Sequence, residues 1–393
     1  MMTNHRPELR AQNWQRVDGI DLLRGLSIVL VLMNHVNMRL LFAHVPYTRG
    51  LPSQLVDSLV WSGQYGVQIF FAVSGYLITS TALRRWGSPG NLSVREFYLL
   101  RFARIAPLLL LLLALLCVLH LVGVAGYVVS AKTGGLGRAL LAALTFHINW
   151  LEATRGYLPG NWDILWSLSV EEMFYLFFPL VARVLRKRWL LMALLVLFAI
   201  AGPFARARAF NHNPVWREYS YLGGMDAIAM GCLTAMLMSG RTLSRRIVCL
   251  CGAAGCGVLI FSLGCSDTAR RWGLGRDGLD MTVLAVGACL VMVASAASGW
   301  RAPRWLAPLK ELGRKSYEIY LTHMFAVLAL FAVFTRLGKP LLGVAALFVV
   351  AIVAAGGLGW LVAACYAEPM NRLIRRLAGV DRQRLGAALP EAD

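Results

Sequence analysis

Acidic side chains are scarce in this 393-residue chain: 20 Asp and Glu stand against 39 Lys and Arg, and charged residues make up only 15% of the whole. Once the apolar runs are assigned, no stretch is left over for a soluble domain. Metal-ligand spacing is missing as well. Cys117, Cys232, Cys249, Cys251, Cys256, Cys289 and Cys365 fall almost entirely inside apolar stretches and read as small core residues. There is no clear internal repeat of the kind that marks many secondary transporters, and no low-complexity tract. No small-residue cleavage site follows the first apolar run, so the polar, basic segment 1–15 is expected to lead into a retained signal anchor rather than a removed signal peptide.

What the chain has in abundance is apolar sequence, 58% of it, in repeated runs near twenty residues, the length that crosses a bilayer as a helix. The expected fold is therefore all-α: a polytopic transmembrane bundle with spans at about 22–43, 64–83, 105–126, 163–182, 189–204, 220–240, 247–264, 279–298, 316–335 and 341–365. A net charge of +19 would point to nucleic acid in a soluble chain, but here Lys and Arg fall mainly between the apolar runs, as in cytoplasmic loops, and no nucleic-acid partner is expected. An eleventh apolar piece, 139–150, is short for a crossing, and whether it spans sets the orientation of everything after it. If it does not span, 26 Lys and Arg face the cytoplasm and 13 the outside; if it does, the split becomes 18 against 21. Only the first arrangement obeys the positive-inside rule, so both termini are expected to be cytoplasmic, with 127–162 an external loop holding a re-entrant or interfacial helix. Residues 377–393 read as a loose polar tail.

Several ionisable groups lie at membrane depth, where they are expensive. Arg24 and His35 share the first span with ten residues between them; eleven helical steps are about three turns, which puts both on one face with His35 about 16 Å deeper. A guanidinium near the surface and an imidazole mid-bilayer suit the holding of a phosphate and the movement of a proton. By themselves they also fit a snorkelling anchor and an interhelical hydrogen bond. Ser74 sits beside Gly66 and Gly75 in the second span, a small-residue pattern that allows close helix approach. Arg84, Arg85, Arg95, Arg101 and Arg104 crowd the next basic stretch. "NWDILWSLSVEEMFYLFFP" brings Asp163, Ser167, Ser169, Glu171 and Glu172 into the fourth span, a polar density that should face a cavity. Asp226 is a lone carboxylate amid Gly and Ala, Glu318 and His323 lie early in the ninth span, and Glu368 precedes Pro369 at the end of the tenth.

The Arg, ten residues, His pattern of Arg24 and His35 resembles acyltransferase family 3. So do "FFAVSGYLIT", "RFARIAP", "WSLSVEEMFYLFFP", "MDAIAMGCLTA", "SYEIYLTHMF" and "YAEPMNRL", in the family's order. The resemblance covers residues 16–376, taken as one membrane domain. It implies a membrane O-acyltransferase of bacterial type in the cell's inner or plasma membrane, moving an acyl group, acetyl first among them, from cytoplasmic acyl-CoA to a hydroxyl of a cell-surface carbohydrate or lipid-linked glycan. No cofactor is expected beyond acyl-CoA as co-substrate. The extra C-terminal hydrolase-like domain of some members is not expected after residue 376.

A sugar hydroxyl is a poor nucleophile at neutral pH and gains from a base placed to take its proton. His35 is the expected base and Arg24 the expected partner of a CoA phosphate, with Arg84, Arg85, Arg101 and Arg104 binding the donor. Asp21, one turn before Arg24, is placed to orient it. Glu171, Glu172 and His323 are candidates to orient His35 or to bind acceptor hydroxyls, and Ser74 is a candidate acyl way-station; Ser169, Asp226 and Glu368 complete the list. Two other classes also fit these residues: a transporter, and a carrier that passes acyl groups across the bilayer to a separate transferase.

Overall fold

The computed structural model describes residues 16–380. The expected segment 1–15 and most of the expected tail 377–393 lie outside the described residues. Among those described, ten helices are long and apolar enough to cross a membrane: α1 (Asp18–Phe42), α2 (Gly63–Trp86), α3 (Val94–Leu121), α4 (Leu165–Leu185), α5 (Arg188–Arg206), α6 (Tyr221–Met238), α7 (Arg245–Gly264), α8 (Asp280–Ser298), α9 (Ser316–Arg336) and α10 (Val344–Val362). This is the multi-pass, all-helical membrane protein that the apolar runs require. The 139–150 piece forms no helix of crossing length. It divides between two short helices, Gly135–Leu144 and Ile148–Arg155, each far below the roughly 20 residues that a crossing needs.

The third helix begins eleven residues before the expected 105. The reason is local: Ser93 caps it, its hydroxyl accepting from the Glu96 backbone N–H at 3.5 Å, the first half of a Ser-x-x-Glu capping box. The basic stretch carrying Arg95, Arg101 and Arg104 is thus helical rather than loop. Pro107 lies inside α3, and two carbonyls on its turn are bonded from neighbouring helices. Tyr317 donates to the Ile105 carbonyl at 2.9 Å and Tyr366 to that of Pro107 at 3.2 Å.

α2 and α6 are among the most buried spans, whereas α5 and α7 bury little of their surface in the protein and lie at its edge. The central crossing depends on glycine. A Cβ on Gly75 would overlap the carbonyl oxygen of Ile228, and one on Gly231 would overlap that of Ala72, so the two backbones touch where the small-residue pattern of the second span called for close approach. α1 packs in the same way on the short helix Ala307–Arg314, where Gly313 faces the Asp21 carbonyl.

Candidate active site

α1, α2, α3, α4 and α9, with the helix Glu368–Leu377, line a cavity of about 550 Å³. It lies toward the end of the bundle that carries Arg84, Arg314 and the start of α1, called here the basic face. Arg24, Ser74, Arg85, Arg101, Arg104 and Glu171 all line it. These six belong to four helices and meet at one cavity, whose wall does not include Arg84, Glu172 or His35.

Each is held by its surroundings. Arg24 donates from Nε to the Ser316 hydroxyl at 3.1 Å and lies in the field of Arg104, Asp21, Glu318 and Glu171. Glu171 sits among Arg101, Arg104 and Arg24, so three guanidiniums surround one carboxylate and leave the pocket with excess positive charge. Arg101 stacks on Tyr175, 3.5 Å from the ring centroid, a cation–π contact that fixes the guanidinium plane. The buried Glu172 carboxylate lies 3.9 Å from Arg101 and is absent from the cavity wall. Ser74 shares a hydrogen bond with the Tyr175 hydroxyl.

The deep end of the cavity is closed by Tyr320 and Ser167, whose hydroxyls are 2.6 Å apart. Tyr320 donates to the Ile164 carbonyl at 2.9 Å. Behind it stand the two histidines. The Tyr320 ring is 5.7 Å from that of His323, which is 5.0 Å from that of His35. His323 is fully buried, and its Nδ1 contacts the Tyr320 carbonyl at 2.6 Å. That contact requires Nδ1 to carry the proton in the neutral ring, leaving the Nε2 lone pair as the basic position. Nε2 has no hydrogen-bond partner among the described residues.

Beyond the histidines, toward the opposite face, lies a second polar group. Arg39, one turn past His35, brings its guanidinium against Gly160 beside Met324. The buried side chains of Asn161 and Trp162 have amide and indole atoms without partners among the described residues. The Glu152 and Asp163 carboxyls lie within each other's field. Glu152 accepts from the Leu158 backbone N–H at 3.0 Å, and Asp163 accepts from Tyr219 at 3.2 Å. Burial, with the Asp163 charge adding to it, pushes the Glu152 carboxyl well above the usual carboxylate range.

Other residues singled out from the sequence lie elsewhere. Asp21 accepts from Arg314 at 3.2 Å, while Arg24 is held by Ser316. Asp226 is saturated: it accepts from Arg206 at 2.7 Å, Gln68 at 2.8 Å and Thr282 at 3.0 Å. Ser169 accepts from the Ile148 backbone N–H at 3.3 Å and donates to Leu165, tying the short loop helix to α4. Glu368 pairs with Lys315 at the edge of the basic face, and Arg84 is exposed outside the cavity wall. Ser316, Tyr317, Tyr320 and Arg39 were missed as site residues. Helical spacing held a signal for two of them, since Tyr320 is three residues before His323 and Arg39 four after His35.

A family model described as an acyltransferase domain matches residues 17–361, and the chain belongs to that family, acyltransferase family 3. It is 26% identical over 367 residues to the peptidoglycan O-acetyltransferase OatA of Listeria monocytogenes, a match covering 85% of this chain and 54% of the relative. It is 24% identical over 331 residues to the O-acetyltransferase OatA of Staphylococcus aureus, covering 78% of this chain and 49% of that one. The chain thus spans about half the length of these curated relatives. No solved structure matches it.

Proposed function

We propose that this chain is a membrane O-acyltransferase that takes an acyl group, acetyl in the first instance, from acyl-CoA at the cytoplasmic face and delivers it to a hydroxyl of a cell-surface carbohydrate or glycolipid in the bacterial plasma membrane. Peptidoglycan, named for the Listeria relative, leads the candidate acceptors. The observation that carries this reading is the line from the arginine-walled cavity, through Tyr320 and Ser167, to the His35 and His323 rings.

In this reading the basic face is cytoplasmic, in agreement with the 26 to 13 division of Lys and Arg. Arg24, Arg101 and Arg104 hold the anionic donor and its thioester points toward the histidines. The acceptor hydroxyl gives its proton to a neutral imidazole, His35 being first in line, as its oxygen attacks the thioester carbonyl. The carbon–sulfur bond breaks, and the departing thiolate takes up one proton from the imidazolium. The polar groups beyond the histidines, Arg39, Asn161 and the Glu152–Asp163 pair, supply donors and acceptors for a hydroxyl-rich acceptor.

The test is donor titration in sealed vesicles of both orientations, with labelled acyl groups on the glycan product measured by mass spectrometry. Transfer is expected when membrane-impermeant acyl-CoA meets the basic face. Equal transfer with donor supplied only at the other face would overturn the reading.

A further inference from the structure

The family match ends at residue 361, yet part of the cavity wall is made by residues after it. α10 does not stop at Val362. Over Ala363–Ala367 it passes through a π-helical turn and continues as the helix Glu368–Leu377. A π turn takes one residue more than an α turn, so it rotates everything that follows; such turns are rare and concentrate at functional sites. Here the rotated helix is pinned by Tyr366 on the Pro107 carbonyl and by the Glu368–Lys315 pair. Asn371 and Arg375, four residues apart and hence on one side of it, are turned onto the cavity, while Arg372 and Arg376 are exposed.

Two features mark this wall as more than packing. The Asn371 side-chain oxygen is buried without a hydrogen-bond partner among the described residues, which leaves it available to accept from a ligand donor. Trp86, also on the wall, is locked in place by its indole N–H, which donates to Glu96 at 3.2 Å. An amide oxygen, a guanidinium and a fixed aromatic ring at the mouth of a cationic cavity match the chemistry of a purine nucleotide: an exocyclic amine to donate, phosphates to pair, and a flat ring to stack.

We propose that Asn371, Arg375 and Trp86 form the subsite for the adenine-nucleotide end of the acyl donor. Asn371 accepts from the base, Arg375 pairs with phosphate, and Trp86 packs against the ring. The inference rests on the acyl-CoA reading given above and adds to it a donor-specificity element contributed by the C-terminal helix.

The test compares acetyl-CoA with acetyl-pantetheine, which lacks the nucleotide, in purified protein carrying Asn371→Ala, Arg375→Ala or Arg375→Lys, together with direct binding of CoA itself. The KM for acetyl-CoA should rise about tenfold for Asn371→Ala and further for Arg375→Ala, as expected for the loss of one neutral and one charged hydrogen bond. Arg375→Lys should recover part of the loss, and the KM for acetyl-pantetheine should stay at the wild-type value throughout. A variant that merely folds poorly would lower turnover with both donors alike. CoA binding that is equal in wild type and variants, or an equal rise in KM for both donors, would overturn this subsite while leaving the donor reading in place. Absence of CoA binding to the wild type would overturn both.

Discussion

The rings of His35 on α1 and His323 on α9 lie 5.0 Å apart, tilted by 46°, with the basic nitrogen of His323 unpartnered among the described residues. Two imidazoles at this separation cannot both carry charge cheaply in a buried setting. The arrangement gives the two residues unequal roles. His323 is fixed by the Tyr320 carbonyl, whereas His35, partly exposed, is the ring placed to meet a substrate.

His35→Ala is accordingly expected to lower acyl transfer by about two to four powers of ten while leaving the protein folded in the membrane. His323→Gln should lower it less and shift the pH profile of what remains. Transfer rates per molecule of detergent-purified protein decide this; near-normal turnover by the His35 variant would remove it from the chemistry.

Arg24→Lys should behave as a donor-side defect. The guanidinium that spans Ser316 and the cavity presents a planar fork, and an ammonium offers only a point charge. The KM for acyl-CoA should rise by an order of magnitude or more. Raised ionic strength should weaken donor affinity in the wild type in the same direction. Unchanged donor affinity in Arg24→Lys would leave that arginine as an anchor.

Asp226 and Arg206 form a buried pair with Gln68 and Thr282 completing the carboxylate's hydrogen bonds. Asp226→Ala leaves the arginine uncompensated in the interior, which costs about 3–5 kcal/mol. The expected readout is a lower melting temperature in detergent and a smaller folded yield. A variant as stable as the wild type would argue against the pair's structural role.

The Glu152 carboxyl, raised by burial and by Asp163, makes stability depend on pH. The folded protein keeps this proton after the unfolded chain has released it, near the ordinary value of about 4.3. Stability therefore falls as pH rises from there through the folded-state value, and levels off above it. Glu152→Gln should flatten that slope in melting temperatures taken from pH 4 upward, and a slope as steep as the wild type's would assign it to another group.

Orientation follows from the charge split. Single cysteines in a cysteine-free background, labelled from either side, should place residues 95 and 310 in the cytoplasm and residue 155 outside. Labelling of 95 and 155 from one side would contradict the ten-crossing path.

The sequence by itself determined the crossings, and it did so because the bilayer makes a local demand. A run of about twenty apolar residues must satisfy its own backbone as a helix, wherever its neighbours are. The same locality put Arg24 and His35 on one face of α1 and set Gly75 aside for a close contact. The early start of α3 was legible too, in Ser93 and Glu96, but it was hidden by the basic residues that followed. Only the tertiary structure decided which polar groups meet. Asp226 and Glu171 look alike in sequence, each a carboxylate inside an apolar helix, yet one is consumed by Arg206 and the other faces a cavity. His323 reaches His35, and Asn371 reaches the cavity mouth, through the order and rotation of helices far apart in the chain. Those rotations come from side-chain packing and from a single π turn, and no pattern along one helix encodes them.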